Sequence, residues 1–214
     1  MKRRWWFASI LGGALGSLMG YAMASPRAQL IGRTMWHGPR SRREIALTFD
    51  NGPSSDGTGQ ILNLLAREGV NATFFMLGAA VEKYPDLARA VVQAGHLVGN
   101  HGYTHRNLMW AGRQATASQL DRGYRAIEST CGVGPRLYRP AFGTRSLSMP
   151  ALLSQRGWRM VHWTSSAGDW RLHSARSLTS WVPAVRGGDI LLWHDGVRRQ
   201  AMSPRTVTIA ALSQ

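Results

Sequence analysis

Short apolar runs, each stopped abruptly by a polar motif, alternate along this chain with segments of helical periodicity. Ile45-Ala46-Leu47 runs into Thr-Phe-Asp-Asn-Gly-Pro at 48–53, and His96-Leu97-Val98-Gly99 runs into Asn-His-Gly-Tyr-Thr-His at 100–105. Gly187-Gly188 precedes Asp189-Ile190-Leu191-Leu192, which leads to His194. Apolar and β-branched runs ended by Asn, Gly or Pro read as buried strands that stop at a turn. Strands are expected near 45–50, 72–78, 96–100, 137–140, 159–164 and 189–193. Helices are expected near 58–69, 81–94, 112–130, 149–156, 175–186 and 204–213. Val81, Tyr84, Leu87, Ala88, Val91 and Val92, for example, form one helical stripe. Such alternation specifies an α/β fold with a parallel sheet closed, or nearly closed, as a barrel. No internal repeat, low-complexity tract or second domain interrupts it.

Five motifs fall in order: TFDNGP at 48–53, NHGYTH at 100–105, RPAFG at 139–143, GDW at 168–170 and LLWHD at 191–195. They supply carboxylates, an amide and three histidines, the parts of a metal-assisted hydrolase. His101 and His105 are four apart, and on a helical turn that spacing puts both imidazoles on one face. Imidazole suits zinc, copper, nickel and iron, and a catalytic zinc keeps one coordination position open for water. Asp50 and His194 each end a strand, the place where barrels and open α/β sheets build their sites. Taken singly, Asp50 reads as a turn cap and His194 as a structural histidine.

With these residues in this order the chain resembles the polysaccharide deacetylases of carbohydrate esterase family 4, the NodB-homology type, over roughly residues 44–196. The resemblance implies an irregular (β/α) barrel of seven or eight strands. It also implies the roles: Asp50 as general base, His101, His105 and Asn51 as metal ligands, and Arg139 as the residue that orients Asp50. By the same resemblance the Phe142 N–H faces the oxyanion, His194 is the general acid and Asp169 its orienting partner. The cofactor implied is a divalent metal, zinc first, with cobalt or nickel as alternatives, and the nucleophile is metal-bound water. Trp170 and Trp193 read either as sugar platforms or as packing aromatics. Two positions depart from the family. Asn51 stands where Asp is usual and brings a neutral, weaker oxygen, and Gly102 stands where Ser or Thr is usual. The family commonly adds a strand after the last helix, whereas this chain stops at Gln214. The barrel is therefore expected to be open at its C-terminal seam, or covered there by a partner.

The N-terminus carries a second signal. Met1-Lys2-Arg3-Arg4 is a basic start, Trp5 to Met23 is uncharged, and Ala22-Met23-Ala24 is a small-x-small cleavage site. Residues 1–24 read as a signal peptide or a membrane anchor, since the apolar stretch is long enough to span a bilayer. Residues 25–214 read as one catalytic domain, exported in either case to the periplasm, cell envelope or medium. The full chain has a net charge of +15, and three of its basic residues lie in the leader. Such charge favours anionic partners. Nucleic acid is not among those expected, because the basic residues are scattered and the chain reads as exported. Cys131 is the sole cysteine, so no internal disulfide forms.

The function expected is removal of acetyl groups from N-acetylated sugars of a cell-envelope or extracellular polysaccharide. Two alternatives stand beside it: a weakly active or inactive glycan-binding relative whose metal site is degraded at Asn51, and an amidase acting on a non-sugar C–N bond.

Overall fold

The computed structural model describes residues 2–170, 174–180, 182–196 and 205–213. After an N-terminal helix α1 (Lys2–Ala24), the elements run β1 (Ala46–Asp50), α2 (Thr58–Glu68), β2 (Thr73–Met76), α3 (Gly78–Lys83), α4 (Pro85–Gln93) and β3 (Leu97–Asn100). They continue with α5 (Arg113–Cys131), β4 (Leu137–Tyr138), α6 (Met149–Gln155), β5 (Arg159–Met160), β6 (Ser165–Ser166), α7 (Ala175–Thr179), β7 (Ile190–His194) and α8 (Arg205–Leu212). The strands form one parallel sheet in the order β5-β4-β3-β2-β1-β7-β6. The first and last of these strands, β1 and β7, thus lie side by side, with β6 beyond them at the edge.

The sheet curls into an irregular, incomplete (β/α) barrel. Its edges, β5 and β6, are separated in sequence only by residues 161–164. Four residues span at most about 14 Å, so the two edges stand close together. Residues 34–38 occupy that seam. Met35 N–H donates to Met160 O at 2.9 Å, and His162 N–H donates to Met35 O at 2.7 Å. His37 bridges to Asp189 below β7.

Three sequence expectations change. The helix expected over 81–94 is split at Tyr84, because Pro85 lacks an N–H and pushes the residue before it out of the helical region; Tyr84 has φ −129° and ψ 61°. The strand expected over 159–164 ends at Met160, and β6 then joins the opposite edge of the sheet. Within the segment expected to be helical over 175–186, α7 covers only 175–179 and a short 3-10 turn covers 182–184; residue 181 lies outside the described residues.

Strand parity sorts the two faces of the sheet. Phe49, Phe74, Leu191 and Trp193 point outward and pack with Ile61, Leu65, Val81, Val91 and Ile127 of the helical layer. Phe75, Val161 and Ile190 fill the barrel. Thr48, Asp50 and His194 share the inward parity and lie above that fill.

The N-terminal segment is attached firmly. Ala22, Met23 and Ala28 are buried, and fully buried Arg145 grips the backbone there. Its N–H donates to Met23 O at 3.0 Å, and its guanidinium donates to Ala28 O at 2.9 Å and to Ser25 O. Among the described residues no helix is long and apolar enough to cross a membrane.

Candidate active site

β1, β3, β4 and β7 all end at one rim of the barrel, and the five motifs follow from those ends or from the loops beside them. Asp50 and His194 are register partners on adjacent strands. Asp50 is 3% exposed and Arg139, the residue after β4, is 0% exposed. Arg139 Nη1 donates to Asp50 Oδ1 and to Thr48 Oγ1, both at 2.8 Å. Its Nη2 donates to His162 O at 3.0 Å, and its guanidinium lies 4.0 Å above the Phe75 ring. A buried carboxylate matched this closely to a guanidinium is held in one orientation.

His101 donates from Nδ1 to Arg139 O at 2.7 Å, because a carbonyl can only accept. Its Nε2 therefore carries a lone pair, and that atom faces Asp50 Oδ2 at 3.6 Å. Burial pulls the His101 pKa below its ordinary value, which keeps the ring neutral and ready to ligate. The His101 and His105 rings lie 5.1 Å apart. The i, i+4 spacing does not act through a helix here. Residues 101–105 form a loop, turned by Gly102 at φ 84° and by His105 itself at φ 53°. Gly102 thus occupies a left-handed position that a side chain would strain.

Among the described residues the non-glycine residues with positive φ are Asn51, His105 and Phe142, at 76°, 53° and 60°. All three had been singled out from the sequence for the metal or the oxyanion. Left-handed backbone costs about 1 kcal/mol or more per residue, and such strain collects at functional sites. Asn51 Oδ1 is buried with no hydrogen-bond partner. An orphaned amide oxygen at the end of β1, on the same rim as the two imidazoles of the loop after β3, fits a divalent cation, whose ligation would satisfy it. Among the described residues no three His, Cys, Asp or Glu side chains cluster for a metal, as expected where the third donor is an amide.

His194 Nδ1 donates to Asp169 Oδ1 at 2.7 Å, and His194 N–H donates to Asp169 Oδ2 at 3.0 Å. Thr208 of α8 also donates to Oδ2, at 3.1 Å. Trp170, 37% exposed, stands edge-on to His194 at 5.3 Å. Phe142 is 43% exposed and its ring lies 4.6 Å from that of His105. Trp193 is 3% exposed in the outer core; of its two readings from sequence, the structure takes packing.

Two residues near the site, His162 and Thr208, gave no sequence signal, and two more, Thr48 and Asp195, lie within the motifs without an expected role. Asp195 is buried against Gly52, where a Cβ would fall 1.9 Å from its Oδ2, and it accepts from Thr58 at 2.6 Å. Burial pushes its pKa up to about 6. His162 is fully buried, and burial, helped by Arg145, pulls its pKa down to about 3.

These two groups set a pH response. The neutral His162 ring contributes stability that is complete above its ordinary 6.5 and is lost as pH falls toward about 3. Protonated Asp195 acts in reverse, contributing below its ordinary 3.8 and losing that contribution as pH rises through about 6. The two oppose between about pH 4 and 6. Burial also pulls down His96 and His101, and their losses on acidification add to that of His162. Thermal midpoints are therefore expected to fall as pH drops below the ordinary histidine value of 6.5, a fall that Asp195 partly offsets down to its ordinary 3.8. Asp195→Asn should remove that offset and steepen the fall; an unchanged profile in that variant would refute the assignment.

Known proteins share this arrangement. The family model described as polysaccharide deacetylase matches residues 37–161. The chain is 32% identical over 158 residues to a peptidoglycan-N-acetylglucosamine deacetylase of Bacillus cereus, covering 73% of this chain and 58% of that protein. It is 39% identical over 155 residues to a chitooligosaccharide deacetylase of Rhizobium leguminosarum bv. trifolii, covering 72% of each. Among solved structures, a peptidoglycan N-acetylglucosamine deacetylase in complex with an N-oxidanyl-benzamide superposes with a TM-score of 0.78 at 28% identity, over 83% of this chain and 82% of that one. A mutant of a family 4 pseudoenzyme, described as having restored enzymatic activity, superposes with a TM-score of 0.76 at 25% identity, over 84% and 63%. Deacetylases of this family generally depend on a divalent metal. The chain belongs to the polysaccharide deacetylase family, carbohydrate esterase family 4, hydrolases of carbon–nitrogen bonds other than peptide bonds.

Proposed function

We propose that this chain removes acetyl groups from N-acetylated amino sugars of a cell-envelope or extracellular polysaccharide. The observation that carries the reading is the pairing of Asp50 with His194 on adjacent strands, each held by a different partner. Arg139 aims the carboxylate, while Asp169 orients the imidazole. A base and an acid held apart in this way suit hydrolysis, and a glycan-binding surface needs neither.

His101, His105 and Asn51 would hold the divalent metal. When bound, such a cation acidifies water and polarises the acetyl carbonyl. Asp50 takes a proton from the attacking water, whose oxygen bonds to the acetyl carbon. The Phe142 N–H would donate to the resulting oxyanion. The His194 imidazolium, aligned by Asp169, gives its proton to the nitrogen as the C–N bond breaks. Acetate and the free amine leave. Trp170 offers a sugar ring an apolar face beside His194.

Export belongs to the same proposal and rests on the basic start, uncharged stretch and Ala22-Met23-Ala24 site of the leader. Residues 1–24 act either as a cleaved signal or as a retained anchor.

Acetate release by the full chain from chitooligosaccharides, after chelation and again with zinc, cobalt or nickel restored, tests the activity. Release that returns with metal supports it. Binding of the same oligosaccharides with no release under any metal favours a glycan-binding relative, the reading suggested by Asn51. Asn51→Asp tests the weak ligand directly. Asp tolerates the left-handed backbone and adds a charge at contact distance from a divalent ion. Zinc affinity by calorimetry should rise about tenfold or more, a modest share of that attraction. An unchanged affinity would remove residue 51 from the ligand set.

A further inference from the structure

His162 takes no part in the steps above, yet it touches both halves of the machinery. Its side chain lies between two elements: Nε2 is 3.1 Å from Gly143 O, and Nδ1 is 2.6 Å from Thr34 Oγ1. Gly143 O can only accept, so Nε2 carries the hydrogen. In the neutral ring Nδ1 is then an acceptor, and the Thr34 hydroxyl donates to it. The tautomer is fixed from both sides. The main chain of His162 is committed as well. Its N–H donates to Met35 O at 2.7 Å, and its carbonyl accepts from Arg139 Nη2 at 3.0 Å.

The far end of this bridge is a turn that does not hold itself. Phe142 and Gly143 are consecutive left-handed residues, at φ 60° and 66°. Phe has no intrinsic preference for that region. A Cβ on Gly143 would meet the Trp163 ring at 2.8 Å and His162 Cδ2 at 3.5 Å, so the turn is pressed against this one histidine and its neighbour. Fixing the Gly143 carbonyl fixes the plane of the adjacent peptide and the direction of the Phe142 residue.

We infer that His162 is a positioning residue for the deacetylation: through the Gly143 carbonyl it holds the turn that presents the Phe142 N–H, in step with the Arg139–Asp50 pair that its own carbonyl steadies. Thr34, from the strap filling the barrel seam, completes the device by locking the ring's tautomer. The inference rests on the deacetylase reading of the same site.

The test compares two variants of the full, metal-loaded chain. His162→Phe keeps the ring's bulk and removes the donor. His162→Gln fills the space less well but places an N–H where Nε2 stood. A packing role ranks Phe above Gln in activity, and the positioning role ranks Gln above Phe. Measured on chitooligosaccharide and normalised to bound metal, kcat should fall about tenfold or more in His162→Phe, the order seen when an oxyanion donor is displaced. His162→Gln should recover most of that loss, with KM nearly unchanged in both. If His162→Phe does not fold, His162→Asn replaces it, since its shorter amide falls short of Gly143. Wild-type activity with Phe (or Asn) equal to or better than Gln overturns the inference and leaves the deacetylase reading standing. No acetate release by the wild type with any metal overturns both.

Discussion

Asp50→Asn is expected to lower kcat/KM for acetate release by about a thousandfold, within the range of general base catalysis. The amide keeps the shape of the carboxylate, and its oxygen still accepts from Arg139, but it takes no proton from water. Two further losses follow from what surrounds it. Arg139 is fully buried, and Asp50 is the carboxylate it donates to. Removing one partner of a buried ion pair costs about 3–5 kcal/mol, so the melting temperature should drop by about 10 °C. The amide nitrogen would also be brought toward His101 Nε2, the atom 3.6 Å from Oδ2, and would compete with a cation for that lone pair. Kinetics, melting and zinc titration read the three effects separately. Activity within about tenfold of the wild type would exclude Asp50 as the base.

Asp169→Asn is expected to lower kcat by about a hundredfold or more while leaving KM near its original value. Asp169 Oδ2 accepts from His194 N–H and from Thr208, and Oδ1 accepts from His194 Nδ1. An asparagine keeps the first two bonds with its oxygen and turns its NH₂ toward Nδ1. Nδ1 then becomes an acceptor, and the imidazolium meets a donor instead of an anion. His194 loses the partner that fixes its ring, as when the carboxylate of a histidine–carboxylate pair is neutralised elsewhere. A kcat within about threefold of the wild type would show that His194 needs no anion behind it.

Much of this site was legible because strand ends are local events. Asp50 and His194 each end a short strand, and their positions at the rim follow from that. Period two carries further: if His194 faces the site, Trp193 must face away, as it does in the outer core. Pro85 likewise carried its own warning against one helix over 81–94. The His101–His105 spacing suggested a helical turn, whereas a loop with two left-handed residues brings the rings together. His162 and Thr208 were illegible for a different reason. Each is a single polar residue whose partner lies far away in sequence, so no spacing marks it. The gap between β5 and β6 was hidden because the residues filling it come from the opposite end of the domain.

The pairing of the first strand with the last has a consequence for biogenesis. On the proposed reading, a polypeptide elongated only as far as Gly143 already contains the proposed base, both imidazoles, Asn51 and the Phe142 turn. Its proton donor enters only when β7 pairs with β1, and the donor's counter-ion gains a further bond when Thr208 of α8 arrives. Contacts this distant along the chain form late. Entry of β7 beside β1 is thus the event that would join acid to base.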